Sequence, residues 1–556
     1  MHRSFETSTT RRRRTLDGHW DFVVDSDDEG INAAYYNSFP DDTDQIDVPA
    51  AWNASTKYDD HESPVWYRRR FAMPDPGLTR IVFQGVCHDA TVWLDGERIA
   101  DHYGGYTPFE EITDLAAGEH ELVVRADNSR DERSIPRPGT DWYPYGGITR
   151  EVIIESVPNV FVNDLDINYS LDEDHADVTA TVTVRNEGDS TEECVAVEIG
   201  DTLTERVVTL DEGVTSVDLD LSLAVSRWSP TEPTLYKVAA TTGEGDHLDE
   251  YCERIGFRTV EVTDTDLIVN GNPVDLRGVN RHEDHPEWGH AQPLRLQELD
   301  LDVIEAAGLN TVRTSHYPNH PRFLDCCDER GILVIEEIPY WQFNAERFGR
   351  DGVLDRGKTM LTEMIGRDRS HPSILAWSVT NECANDEAGV AEATEELVDV
   401  VRDLDDRPVT LASNNYHPNG DGDDLCLKHV DFVCANGYPG WYSEGKYANI
   451  LAGVREDYPE KPIVVSEFGA GAVYGERTRD DQKWSEGFQA AFLEDAIETF
   501  EDTEYVAGYT IWQYCDTRTD PRKWEGRPKT KNNKGIVDEY RRPKEAYHRV
   551  SELTDE

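Results

Sequence analysis

The stretch Ile374-Leu-Ala-Trp-Ser-Val-Thr-Asn-Glu382 decides the fold of this chain. Its first six residues are almost all apolar, as expected of a strand buried on both faces, and it closes on an amide and a carboxylate. Seven further runs of this kind accompany it: Val274 to Val279, Thr311 to Ser315, Ile332 to Ile335, Val409 to Ala412, Asp431 to Cys434, Ile463 to Ser466 and Gly508 to Tyr514. Acidic amphipathic segments lie between them, and strands that alternate with helices signal a parallel sheet covered on its outside. Eight strands predict a closed (β/α)8 TIM barrel over residues 263–556.

Upstream of the barrel the pattern is all β. Short alternating runs such as Arg80-Ile-Val-Phe-Gln84 and His120-Glu-Leu-Val-Val-Arg125, separated by Asp-Gly and Gly-Gly turns, predict a jelly-roll-like β-sandwich over residues 1–157. Ala180-Thr-Val-Thr-Val-Arg185 and Tyr236-Lys-Val-Ala-Ala240 carry the pattern through residues 158–262, a span that suits an immunoglobulin-like β-sandwich. The predicted fold class is multidomain, β plus α/β. At 556 residues the chain exceeds what one core can hold, and 38% hydrophobic residues mark it as folded.

The net charge of −58 is spread along the chain, and 12 lysines stand against 42 arginines. Excess acid with scarce lysine resembles the proteins of salt-accumulating halophiles. Nucleic acid and anionic membranes are excluded as partners, because both are bound by neutralising phosphates with Lys and Arg. No run approaches the ~20 apolar residues of a membrane span. Arg11 to Arg14 resemble an export signal, but Thr15-Leu-Asp-Gly-His-Trp20 follows where an apolar segment should be. Nine scattered cysteines argue against a disulfide framework or zinc site, and reduced thiols predict a cytoplasmic protein. The composition is compatible with a homo-oligomer.

In such a barrel, polar residues just past the C-terminal ends of the strands line the active site. Those positions hold Arg281 and His282, His316, Glu336 and Glu337, Asn381 and Glu382, Asn436 and Tyr438, Glu467, and Trp512 within the eighth run. Two carboxylates on different strands facing one cleft are what retaining glycoside hydrolysis needs, one attacking the anomeric carbon and one protonating the departing oxygen. Glu382 and Glu467 are the candidate pair. Taken singly, each is as readily structural as catalytic in a chain with 112 acidic residues.

The surrounding words are more specific. Trp377-Ser-Val-Thr-Asn-Glu382 and Val465-Ser-Glu467-Phe-Gly469 resemble the acid/base and nucleophile signatures of glycoside hydrolase family 2. Arg277-Gly-Val-Asn-Arg-His-Glu283, Val312-Arg-Thr-Ser-His-Tyr-Pro-Asn-His320 and Arg369-Ser-His-Pro-Ser373 match that family in the same order, and the three-part layout agrees with it. The resemblance implies a retaining exo-β-glycosidase that forms a covalent glycosyl-enzyme and needs no cofactor. It implies Glu467 as nucleophile, Glu382 as acid/base with a raised pKa, Asn381 as donor to the sugar 2-hydroxyl, and Tyr438 as a hydrogen-bond partner of the nucleophile. His316 and Trp512 would contact the sugar, or serve as packed core residues. His282-Glu-Asp-His285 lacks the spacing of a hydrolytic zinc site, so no metal is expected.

The substrate is addressed by Asp520-Pro-Arg-Lys-Trp-Glu-Gly-Arg-Pro-Lys-Thr-Lys-Asn-Asn-Lys534, which holds four of the 12 lysines. A basic cluster on the last barrel loop of an acidic protein fits either an anionic ligand or salt bridges to an acidic helix. Asn532-Asn-Lys534 resembles the Asn-x-Lys element with which the β-glucuronidase branch of the family grips a substrate carboxylate. Asn436-Gly-Tyr-Pro-Gly-Trp-Tyr442 and Asp141-Trp-Tyr-Pro-Tyr-Gly-Gly147 resemble the same branch, which places Asp141 at the barrel mouth and Tyr442 near the carboxylate; Arg527 is carried over with an offset of one residue. The expected substrate is a β-D-glucuronide. β-Galactosidase and β-galacturonidase are the alternatives, the first favoured by His316-Tyr-Pro-Asn-His-Pro321 and disfavoured by Glu336-Glu-Ile-Pro-Tyr-Trp341 where a Glu-Thr-His metal element would stand. A non-catalytic carbohydrate-binding protein is the reading from another class, which loss of either Glu would favour.

Overall fold

The computed structural model describes residues 8–245, 248–415, 424–477 and 482–554. Eight parallel strands close into a barrel, and each of the eight apolar runs supplies one. They are β1 Leu276–Asn280, β2 Thr311–Thr314, β3 Leu333–Glu337, β4 Ile374–Asn381, β5 Val409–Ser413, β6 Val433–Asn436, β7 Ile463–Phe468 and β8 Val506–Ile511. Every residue of β4 and β7 is buried, which is why these strands read as apolar runs without alternation. Closure brings Leu276 of β1 opposite Gly508 of β8. Gly508 has φ of 146°, and a Cβ there would lie 2.3 Å from the Leu276 carbonyl oxygen, so no side chain fits that seam.

The helices that cover the barrel are α1 Leu294–Ala306, α2 Pro321–Arg330, α3 Val353–Asp368, α4 Ala388–Leu404, α5 Tyr447–Asp457, α6 Glu486–Glu501 and α7 Glu545–Thr554. Their limits follow local chemistry. Helix α2 starts at Pro321 behind His320, whose ring accepts from the Arg322 N–H, and stops at Gly331 in the left-handed region. Helix α6 is capped by Ser485, whose hydroxyl accepts from the Phe488 N–H at 3.2 Å.

Two β-sandwiches precede the barrel. The first pairs a four-stranded sheet with a six-stranded one around Trp20, Trp52, Tyr67 and Phe83. Trp66, in strand Val65–Met73, and Trp52, in the short 3-10 helix Trp52–Ala54, are fully buried core residues. The second packs three strands against four, the seven-strand count of an immunoglobulin-like module, and strand His175–Asn186 alternates exposed and buried positions along its length. Arg11 is buried between the two, bonding Glu155 of the first and Asp249 and the Val162 carbonyl of the second.

The first sandwich also docks on the barrel mouth. Arg150 donates to Glu283 at 3.1 Å and to the Pro318 carbonyl at 2.9 Å, and all three groups are shielded from water. The Tyr145 hydroxyl donates to Asp284 at 2.7 Å, and Asp284 also accepts from the Arg518 N–H. Glu283 and Asp284 of the His282–His285 segment are therefore occupied in holding the sandwich to the barrel.

Burial opposes ionisation of Glu283, and Arg150 with Arg281 behind it more than offsets that, holding the carboxyl below its ordinary range. Stability from this pairing is present above the unfolded pKa and lost as pH falls through the folded one. Arg150→Met should therefore lower stability by about 3 kcal/mol at neutral pH, read as a fall in the urea midpoint. The loss should shrink as the pH is lowered to 4, and an unchanged midpoint at pH 7 would remove the pair from its docking role.

Candidate active site

At the C-terminal ends of the barrel strands lies a cavity of about 570 Å³. Ten of the twelve residues expected to act on or contact the substrate line it: Asp141, His316, Glu382, Asn436, Tyr438, Tyr442, Glu467, Trp512, Arg527 and Lys534; the strand-end residues Arg281, His282, Glu336 and Glu337 are buried outside its lining. The other two stand directly behind the wall. Asn381 accepts from Asn436 at 3.1 Å, and Asn532 donates to Asp141 at 3.0 Å.

Glu467 ends β7 and is 4% exposed. One of its oxygens accepts from Arg313 Nη1 at 2.9 Å and the other from the Tyr438 hydroxyl at 2.7 Å. Glu382 follows β4 with φ of 49°, in the left-handed region that side chains avoid at a cost of about 1 kcal/mol. The turn is fixed by its N–H donating to the Ala412 carbonyl of β5 and by the Asn381 N–H donating to the Tyr340 carbonyl. It aims the Glu382 carboxyl at two amides: Gln342 Nε2 donates at 3.0 Å and Asn436 Nδ2 at 3.2 Å.

Arg313, in β2, organises these groups. Its guanidinium is fully buried and reaches Glu337 at 2.8 Å, Asn280 at 2.8 Å and Asn381 at 2.7 Å besides Glu467. Because arginine only donates, Asn381 must turn its oxygen toward it, and its Nδ2 is left buried without a partner. Burial would raise Glu337, but Arg313 and His316 hold it below its ordinary range. Its carboxylate can only accept, so His316 Nδ1, 2.6 Å away, is the donor. Burial keeps His316 below its usual pKa, so the ring is neutral and Nε2 offers a lone pair 4.0 Å from Glu467. Trp512 stacks on that ring with centroids 5.0 Å apart, and Trp142 of the sandwich lies 5.2 Å from it.

A second group of polar residues meets at the far wall. Asp141 accepts from Arg527 at 2.7 Å and from Asn532, so the sandwich and the last barrel loop are joined inside the site. Lys534 is 3% exposed. Its Nζ donates to the Tyr442 hydroxyl at 2.6 Å and lies 5.5 Å from the Tyr438 ring, and it makes no ion pair among the described residues.

Sequence reasoning assigned no role to Arg313 or Gln342. The first had a signal, an arginine in the middle of an apolar strand just before Thr-Ser-His316; the second had none, since only the fold brings it to Glu382. Glu467 is pushed up to about 8 by burial first and by the charge of Glu382 second, against Arg313 and Tyr438.

A raised folded-state pKa means that the native protein holds this proton more tightly than the unfolded chain, so ionising Glu467 costs stability as pH rises from about 4.5 toward 8. Glu467→Gln should relieve that cost. Its melting temperature relative to the unsubstituted protein is expected to climb between pH 5 and pH 9, by on the order of a few kcal/mol of stability. A pH-independent difference would show that Glu467 is ionised throughout.

Three comparisons bear on this geometry. Residues 260–555 match the model for glycosyl hydrolases family 2, TIM barrel domain; residues 160–258 match glycosyl hydrolases family 2, and residues 13–158 its sugar binding domain. The chain is 29% identical to a β-glucuronidase of Canis lupus familiaris, over 97% of this chain and 90% of that protein. The crystal structure of a GH2 β-galacturonidase from Eisenbergiella tayi is 33% identical with a TM-score of 0.90, covering 100% of this chain and 98% of that one. A β-glucuronidase from Ruminococcus gnavus is 26% identical with a TM-score of 0.88, covering 99% and 98%.

Proposed function

This chain belongs to glycosyl hydrolases family 2, and from that premise we propose that it is a retaining exo-hydrolase of β-D-hexuronides, with β-D-glucuronides as its substrates. The observation that carries the uronide is Lys534. A buried ammonium that among the described residues bonds only a neutral hydroxyl lacks the counter-charge that burial demands. The carboxylate of a terminal hexuronic acid supplies it, with Tyr442 beside it and the Asp141, Arg527 and Asn532 group for the adjoining hydroxyls. A neutral galactoside would leave the charge unanswered. Homologous β-glucuronidases support the same reading.

The reaction follows from the pair. Glu467 attacks the anomeric carbon while the bond to the glycosidic oxygen breaks, and Glu382 gives its proton to that oxygen. Both oxygens of Glu467 accept from donors that favour its charged form, a guanidinium and a phenol, whereas Glu382 meets only amides. Glu467 is therefore the nucleophile and Glu382 the proton donor. The orphaned Asn381 Nδ2 donates to the sugar 2-hydroxyl. In the second half, Glu382 takes a proton from water, which attacks the glycosyl ester and frees Glu467.

A second reading has a specific support. The β-galacturonidase structure shares 33% identity with this chain, against 26% for the Ruminococcus gnavus β-glucuronidase. A lysine grip on C6 does not distinguish the two configurations at C4. Parallel assays in molar KCl on aryl β-glucuronide, β-galacturonide, β-galactoside and β-glucoside decide between them. Both uronides are expected to exceed both neutral glycosides by at least about 100-fold in kcat/KM, since an unpaired buried charge costs ~3 kcal/mol. Faster turnover of the galactoside would refute the uronide reading.

Glu467→Ala is expected to reduce turnover at least about 1,000-fold on every substrate. Glu382→Ala should lose far more on alkyl than on nitrophenyl uronides, because nitrophenolate departs without a proton. Lys534→Ala should lower the ratio of uronide to neutral glycoside turnover, and an equal loss on both would remove its role as carboxylate anchor.

A further inference from the structure

A terminal hexuronic acid brings one carboxylate, and Lys534 answers it. The cavity wall holds another ammonium for which that sugar carries no charge. Lys523, at the end of the short 3-10 helix Pro521–Lys523, lines the same cavity with its Nζ 5.3 Å from the centroid of the Trp341 ring. It makes no ion pair among the described residues. Of the other cations of its loop, Arg522 pairs with Glu62 and Asp520, Arg527 with Asp141, and Lys531 with Glu539, while Lys529 is exposed to solvent. In a chain of 112 acidic residues, a cation kept out of such pairs and turned to the cavity calls for a ligand.

Trp341 identifies the side of the cavity concerned. It bridges to Asn381 and directly precedes Gln342, whose amide holds Glu382. An acid/base faces the glycosidic oxygen, so the group beyond that oxygen departs past Trp341 and Lys523. Arg137 adds to the local positive field. Its guanidinium lies 5.6 Å from the same indole, donates to the Gln342 carbonyl, and has no ion pair among the described residues.

We propose that the leaving group is itself anionic, a sugar bearing a carboxylate or a sulfate ester that Lys523 receives beside Trp341. This rests on the hexuronidase reading and deepens it: the substrate class becomes an acidic oligosaccharide trimmed of its terminal hexuronic acid, in place of a neutral or apolar aglycone. The Lys523 ammonium is half-buried and oriented by the indole, so a carboxylate or sulfate meets it without first displacing a protein carboxylate.

The test uses whichever aryl β-hexuronide the enzyme turns over, together with the same hexuronosyl unit linked to glucose, to glucose 6-sulfate and to glucuronic acid, all at one KCl concentration. The unsubstituted enzyme is expected to favour at least one acidic disaccharide over the glucoside by roughly fivefold in kcat/KM, the worth of one well-placed charge pair. Which acidic disaccharide is preferred separates sulfate from carboxylate. In Lys523→Gln that preference should collapse toward unity. Equal turnover of all three disaccharides, or a preference that Lys523→Gln leaves intact, overturns the proposal. So does an equal loss across the disaccharides and the aryl hexuronide, which would assign Lys523 to the terminal sugar. Failure to hydrolyse either aryl hexuronide overturns the hexuronidase reading and this one with it.

Discussion

A guanidinium sealed inside the barrel is the constraint from which the rest of the site follows. Arg313 cannot shed its proton and is sealed from solvent, so the ends of the barrel strands must supply its acceptors. Asn280 from β1, Glu337 from β3, Asn381 from β4 and Glu467 from β7 all do so. Each of these side chains is thereby fixed in direction. Glu337 in turn sets the tautomer of His316, and Asn381 is left with its amide donor free for a ligand. One cation has ionic contacts with two carboxyls, Glu337 and Glu467, and a third, Glu382, is nearby. That surplus of negative charge in a buried space raises Glu467 against the pull of Arg313. The proposed double displacement needs one carboxyl protonated and one charged, and Glu467 is the one whose donors, a guanidinium and a phenol, favour the charge.

The barrel does not complete the site alone. Asp141 and Trp142 come from the loop of the first sandwich, and their placement depends on docking contacts remote from the cavity. Arg150 reaches Glu283, Tyr145 reaches Asp284, and Arg130 reaches Asp520 at 2.6 Å. These contacts are buried and directional, so the sandwich has one seat on the barrel rim. Asp141 then lies between Arg527 and Asn532, where its charge neutralises the arginine, and Lys534 on that wall has no ionic partner among the described residues.

The legible parts of the sequence were those that depend on local pattern. Strands covered on both faces must be apolar, so β4 and β7 announce themselves, and a carboxylate that ends such a run has little reason to be there except the barrel mouth. Asp141, Asn532 and Lys534 were legible through resemblance, because spacing alone does not carry a residue from the sandwich to the last barrel loop. What stayed hidden depends on tertiary neighbours. The rise of Glu467 comes from burial and from Glu382, 85 residues away in the chain, and no local window contains both. His282-Glu-Asp-His285 lacks the spacing of a zinc site but shows no other purpose in the sequence; only the arrival of Arg150 and Tyr145 decides what Glu283 and Asp284 do. The lysines of the last loop presented the same choice, and the structure divides them: Lys531 pairs with Glu539, while Lys523 and Lys534 line the cavity.

A protein with a net charge of −58 repels an anionic substrate at long range, which makes the position of those lysines an electrostatic requirement. The repulsion comes from many dispersed surface charges and is felt over the Debye length, about 10 Å at 0.1 M salt and about 3 Å at 1 M. The attraction comes from Lys534 and Lys523 at contact distance, one buried and one half-buried against aromatic rings. Salt therefore acts unequally on the two. It removes most of the repulsion and much less of the attraction, because ions do not enter the space between a buried ammonium and the carboxylate bound to it. Cations spread over the surface would be screened together with the acids and would gain the ligand nothing. Gathered into the cavity, a few lysines suffice to receive the acidic sugar proposed for this site.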